Sequence, residues 1–232
     1  MISTSQTVNS AVNPNLPYDL TRDFAAITQM SSLFFVLYHH PSLAVKSVKE
    51  LIAHDKAQPG KVNYGTAGAG SSQHIGVEMF SFMSGIKLTH VPYKGGAGVV
   101  TAMLAGVIQI AMTSLPPVQP HIHSGRIRAL AITAKQRSSV VPELPTIAEA
   151  GVPGYELNQW EGIITGAKVP PAIIRKLNAG IADALKSRDV LQRMSANGST
   201  TAGSSPEAFD AHIKSEIAKW RKLVKDAGLV LQ

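Results

Sequence analysis

The hydrophobic pattern of this chain switches repeatedly between strand and helix periods, and the switches fall on proline, glycine and serine. Leu33-Phe34-Phe35-Val36-Leu37-Tyr38 is apolar at every position, which suits a strand buried on both faces, and Pro41 ends it. Phe24–Met30 is a second strand candidate, preceded by a turn-rich loop from Pro14 to Asp23. Ser47-Val48-Lys49-Glu50 has capping-box spacing and predicts a helix that Pro59-Gly60 closes. From there strands and helices alternate. Val62–Tyr64 is a strand, and Ile75, Met79, Phe80 and Met83 share one helical face. Leu88–Tyr93 is a strand, followed by a helix through Val100, Met103 and Leu104. Gln109–Thr113 is a strand, Ser114-Leu115-Pro116 is expected to open a helix with Ser114 as its cap, and Arg128–Thr133 is a strand. This βα alternation argues an α/β fold with a parallel or mostly parallel sheet.

The last third has a different texture. Thr146-Ile147-Ala148-Glu149 is another capping box, and Tyr155–Ile164 reads as a strand carrying Trp160. Pro170-Pro171 opens a helix with Ile174, Leu177, Ile181 and Leu185 on one face. Ser205-Pro206-Glu207 opens the last helix, with an apolar face of Phe209, Ile213, Ile217, Trp220 and Val224 and a stop at Gly228. At the other end, Met1–Gln6 reads as the end of a buried strand running into a polar loop. Two lobes are expected: 1–40 with 155–232 as the first, and 41–154 as the second.

The chemistry concentrates in one place, Asn63-Tyr64-Gly65-Thr66-Ala67-Gly68-Ala69-Gly70-Ser71-Ser72-Gln73-His74. This glycine-rich stretch joins a strand to a helix start, where free N–H groups favour a carboxylate or phosphate. A plain turn with a serine cap explains the same residues equally well. A P-loop is excluded because Ser71 stands where its lysine must be, and the dinucleotide pattern fails because Gln73 replaces its third glycine. In an α/β sheet this loop, Lys94–Gly98 and Thr113–Ser114 share the carboxyl edge where ligands bind. None of the three carries a carboxylate. That composition suits holding an anion with backbone and hydroxyls better than acid/base catalysis. His74, one turn into the helix, can serve the ligand or the loop backbone.

A formal net charge of +7 permits nucleic-acid binding, but the basic residues are dispersed and only 6% of residues are aromatic, so no nucleic-acid partner is expected. His39-His40 and His121-x-His123 lack the carboxylates or cysteines that would complete a metal site, so no metal is expected, nor any other cofactor. No apolar run is long enough to span a membrane.

Several separated motifs carry a resemblance. They are Asn63–His74, His90-Val91-Pro92-Tyr93-Lys94-Gly95, Gly125–Thr133, Pro145–Gly151 and Trp160-Glu161-Gly162. In this order and spacing they resemble the receptors of tripartite tricarboxylate transporters, the Bug family. The resemblance implies a two-lobed periplasmic-binding-protein fold of type II and a periplasmic location. It also implies a small organic carboxylate, or a related compound, held between the lobes, and membrane transporter subunits as partners. It implies ligand contacts from Thr4, Ser5, Thr66, Ala67, Gly68, Gly70, Ser71, Ser72, His74, Tyr93, Lys94, Thr113, Ser114 and Trp160. Trp160 is weighed between the ligand wall and the interface of the lobes. An enzyme of the same fold acting on an anionic substrate is the alternative.

Two departures from the family pattern stand out. Members normally begin with a signal peptide and a further strand, glycine loop and helix. This sequence as written starts beyond them, so the first lobe is expected to lack its N-terminal strands and helices, about 60 residues at roughly 30 per βαβ unit. Such a first lobe is expected to be loosened, with weak or no ligand binding, beside a stable second lobe. Many members also carry Asp-Asn where Thr113-Ser114 stand here, which disfavours ligands bearing an amino group.

Overall fold

The computed structural model describes residues 1–196 and 198–228. The chain divides into two compact units. Among the described residues, one takes Met1–Leu33 and 159–228, and the other takes residues 34–158. The expected end of the first lobe, at 229–232, lies outside the described residues.

The first unit holds β1 (Ile2–Ser3), α1 (Thr4–Val12) and β2, which runs Phe24–Phe34 and whose last residue falls in the other unit. It also holds most of β8 (Asn158–Gly166), then α6 (Pro171–Ala184), α7 (Arg188–Ala196), β9 (Ser199–Thr201) and α8 (Pro206–Ala227). Its sheet has the order β1-β8-β2-β9. Ile2 pairs with Gly162 and Ser3 with Glu161, antiparallel. Helix α8 forms as its sequence dictates. Ser205 accepts from the Ala208 N–H at 3.2 Å, Pro206 occupies the first turn, and Gly228 ends the helix at φ +61°. Its buried residues Phe209, Ile213 and Ile217 pack with Ile2, Leu20, Ala26 and Trp160 into one core. Gly162 is needed under this helix, because a Cβ there would stand 2.2 Å from Phe209 Cζ.

Two expectations fail in this unit, and two elements in it were not expected. The expected polar loop after Ile2 is helix α1, started where the Ser3 N–H donates to Gln6 Oε1 at 2.8 Å. That is the backward half of a capping box. Helix α6 has no buried residue, and of its expected apolar face only Leu185, just past its end, is buried. Helix α7 and strand β9 have no counterpart in the pattern reading. Both are short; β9 is wholly polar, and α7 spaces Val190, Leu191 and Met194 on one helical face over fewer than three turns.

The second unit holds β3 (Val36–His39), α2 (Val48–Ala57), β4 (Asn63–Thr66), α3 (Ser72–Ser84) and β5 (Thr89–Pro92). It continues with α4 (Gly96–Leu104), β6 (Ile110–Thr113), α5 (Gln119–His123) and β7 (Arg128–Ile132). The sheet order is β5-β4-β6-β3-β7. Strand β4 pairs parallel with β5 and β6, while β3 runs antiparallel between β6 and β7. The sheet is thus parallel except for β3. That strand is buried at all four positions, in keeping with its uninterrupted apolar run. Phe34, Val36, Val99, Met103, Ile108, Ala111 and Ile132 form the core on one side.

Local deviations have local causes. Leu33–Tyr38 is not one strand: β2 ends at Phe34 and β3 begins at Val36. The expected helix at Ser114 starts only at Gln119, after Pro116 and Pro117, and Ser114 caps nothing. Adjacent prolines remove two N–H donors, and each disfavours helical backbone in the residue before it. Met83 is 37% exposed rather than sharing the buried face of Ile75, Met79 and Phe80. The Thr146 capping box forms in both directions, 3.1 Å each way between Thr146 and Glu149, but closes turns rather than a helix.

Candidate functional site

Because β4, β5 and β6 run parallel, their carboxyl ends Thr66, Pro92 and Thr113 fall on one edge of the second unit. The glycine loop and the loop after β5 are knit together there. The Tyr93 N–H donates to Thr66 O at 2.9 Å and the Gly95 N–H to Ala67 O at 3.3 Å. Gly68, Gly70 and Gly95 have φ of +129°, +70° and +94°, which explains why the turns need glycine.

Most donors of the glycine loop are used by the loop itself. The Ala67 N–H donates to Gln73 Oε1 at 2.8 Å and the Gly68 N–H to Thr66 Oγ1 at 3.3 Å. The Gly70 N–H donates to His74 Nδ1 at 3.1 Å, and the Ser71 N–H to Gly68 O at 3.3 Å. Ser71 caps α3, accepting from the His74 N–H at 3.2 Å, while its own hydroxyl donates to Gly68 O at 2.7 Å. The serine-cap reading is therefore correct as far as it goes. Ser71 can give a proton to an anion only by leaving Gly68. Thr66 is fully buried, and its hydroxyl lies 2.7 Å from His90 Nε2. Ser72, in the first turn of α3, is buried.

Beneath the loop lies a cluster that sequence reasoning missed. The rings of His74 and His90 stack 4.0 Å apart at 12°, and Tyr64 stacks on His90 at 4.9 Å and 21°. The Tyr64 hydroxyl donates to Glu78 Oε1. Burial, and secondly the neighbouring His90, hold the His74 pKa down to about 4, and burial lowers that of His90. Burial first, and then Glu78, push the Tyr64 phenol well above its usual value. Only the helical spacing of His74 and Glu78, one turn apart, was readable in the sequence; Tyr64 and His90 meet because β4 and β5 pair in register.

The remaining expected residues divide. Tyr93 packs partly buried against the second unit's core, its ring beside Gly65 and Gly98. Lys94 is exposed, and among the described residues its ammonium has no partner. Thr113 is buried and donates to Ser114 O at 3.1 Å, and Ser114 is half-buried. Thr4 and Ser5 belong to the first unit, in the first turn of α1. Thr4 is fully buried and its Oγ1 accepts from the Trp160 N–H at 3.1 Å; Ser5 is half-buried. Trp160 packs into the first unit's core. Its ring meets Phe209 and His212 edge-on, and its Nε1–H donates to Glu216 Oε2 at 3.3 Å, all within the first unit. An indole of this size finds its burial in the nearest core.

His39, the last residue of β3, and His40, just past it, have separate partners, His40 O and Ser42 Oγ. Among the described residues no three histidines, aspartates or glutamates cluster as metal ligands, and no helix is long and apolar enough to cross a membrane.

Comparison with known proteins places this geometry. The model of a family described as tripartite tricarboxylate transporter family receptor matches residues 1–229. Protein BugT of Bordetella pertussis is 33% identical over 225 residues, covering 97% of this chain and 69% of BugT. The solved structure of R. palustris Rpa4515 with adipate superposes with a TM-score of 0.89 at 33% identity, over 98% of this chain and 76% of that one. MatC from Rhodopseudomonas palustris, solved with bound malate, shares the fold at a TM-score of 0.86 and 24% identity, over 96% of this chain and 77% of its own.

Proposed function

Because the chain belongs to the tripartite tricarboxylate transporter receptor family, we propose that it captures a small organic carboxylate outside the cytoplasm, in the periplasm, and hands it to transporter membrane subunits. The family is one of solute receptors, and no observation favours the enzyme alternative. The observation that carries the reading is the match to Rpa4515, which was solved with adipate. The edge of the second unit supports it chemically. It offers the start of α3, glycine backbone and the unpaired Lys94, with no carboxylate in its loops to repel an anion.

In this reading Ala67, Gly68, Gly70, Ser71 and Ser72 face the ligand, with Lys94, Tyr93, Thr113 and Ser114 beside them. Thr66 and His74 support the loop from below. Thr4 and Ser5 are carried over from the family pattern. The two-lobed division given above, 1–40 with 155–232 and 41–154, belongs to the same proposal. Calorimetry with adipate, malate and a tricarboxylate such as citrate tests the reading. Saturable one-site binding of any of them is the expected result, and no heat with all three at millimolar concentration overturns it.

A further inference from the structure

His74 is 5% exposed, and its two ring nitrogens face different partners. Nδ1 accepts the Gly70 N–H, so in the neutral ring that nitrogen is bare and the proton sits on Nε2. Nε2 lies 4.0 Å from Glu78 Oε1, one turn along α3. The titratable groups around the ring are Glu78 on its own helix, His90 on β5 and Tyr64 on β4. His90 covers one face of the ring and reaches Thr66 with its own Nε2. The two histidines thus hold the glycine loop at two points, Thr66 and Gly70.

Gly70 has many conformations open to it, and glycine loses more freedom on ordering than any other residue. The bond to Nδ1 selects the one with φ +70°. A charged His74 would carry a proton on Nδ1 and set two donors against each other. Burial of the His74 ring, and secondly the stacked His90, disfavour that charge.

We propose that His74 is a positioning residue for ligand capture. Its bare Nδ1 fixes the Gly68–Ser71 turn in the form that receives the anion, and the side chain does not touch the ligand. This rests on the reading that the glycine loop holds the ligand.

Asparagine places a carbonyl oxygen where Nδ1 stands, and glutamine places one where Nε2 stands. The test compares His74→Asn, His74→Gln and His74→Leu, each first shown to keep the wild-type far-UV circular dichroism. Adipate affinity is measured by calorimetry at neutral pH. Nitrogen NMR of the ligand-free protein reports the His74 ring and the Gly70 amide. The expected result is a bare Nδ1 in the wild type and a shifted Gly70 amide in the Gln and Leu variants. Adipate should bind His74→Asn within about threefold of wild type, and the other two about tenfold more weakly, the scale of one hydrogen bond. A proton on Nδ1, a Gly70 amide unmoved in His74→Gln, or equal losses in Asn and Gln would each overturn the proposal. If the wild type binds none of adipate, malate and citrate, the carboxylate reading fails, and the ring and amide shifts still decide whether His74 fixes the turn; if it binds malate or citrate instead, the affinities are compared with that ligand.

Discussion

Ser71 is the position where capping and ligand binding can be separated. Its Oγ takes part in two hydrogen bonds, accepting from the His74 N–H and donating to Gly68 O. Replacing it with alanine removes both. A lost serine cap costs about 1 kcal/mol and a lost neutral hydrogen bond about another 1 kcal/mol, so Ser71→Ala should destabilise the second unit by about 2 kcal/mol. Aspartate caps at least as well as serine, and its charge suits a helix N-terminus. Ser71→Asp should therefore recover about half of that loss or more. The same carboxylate would occupy the place proposed for the ligand's carboxylate and should abolish binding of adipate. Unfolding must be followed by hydrogen exchange or circular dichroism, because both tryptophans, Trp160 and Trp220, lie in the first unit. Two results would refute the reasoning. One is a Ser71→Ala protein that unfolds at the wild-type denaturant concentration. The other is a stable Ser71→Asp protein that binds adipate as tightly as wild type.

Other outcomes follow from the same geometry. His74 has a folded pKa lowered to about 4 against an unfolded 6.5, so its contribution is complete above pH 6.5 and drains away as pH falls toward 4. The loss is about 3 kcal/mol at 1.36 per unit, and His74→Asn should remove that part of the acid sensitivity; equal acid losses in both proteins would exclude it. Gly162→Ala drives a methyl into Phe209 and to 2.9 Å from Thr28 O, so tryptophan fluorescence should report a first unit weaker by about 1–3 kcal/mol or more; an unchanged midpoint would contradict the packing. With Thr113 and Ser114 in place of an acid, an ammonium finds no counter-charge there. Aspartate should bind more weakly than succinate, and the reverse order by calorimetry would sink this specificity argument.

The parts legible in the sequence were those whose local signals agreed. Helix α8 has a cap, a first-turn proline, an apolar stripe and a terminal glycine, and all four act in the structure. The glycine loop was legible as a strand-to-helix turn but not in its detail. Its hydroxyls looked available, whereas Thr66 and Ser71 are bound within the loop and to the histidines. Nothing in the spacing of Tyr64, His74 and His90 announces a stack, because it depends on β4 and β5 pairing in register. Helix α1 escaped because Val8 is its one fully buried apolar residue, although Ser3-x-x-Gln6 carried the signal. The partners of Trp160 were not legible either, because only tertiary packing brings Phe209 and His212 to its ring.

The division of the chain also sets an order of events during synthesis. Residues 34–158 are contiguous, so the second unit has all its strands once the ribosome has passed the end of that stretch. The first unit has to wait. Its β1 pairs Ser3 with Glu161, and β2 pairs Ser31 with Thr201, so both ladders join a segment before the second unit to one after it. Such distant closures are slow, and they come after the intervening stretch has emerged. A nascent chain halted once residue 158 has cleared the ribosome's exit tunnel would carry a folded five-stranded sheet while the segment before residue 34 still searches for its partners.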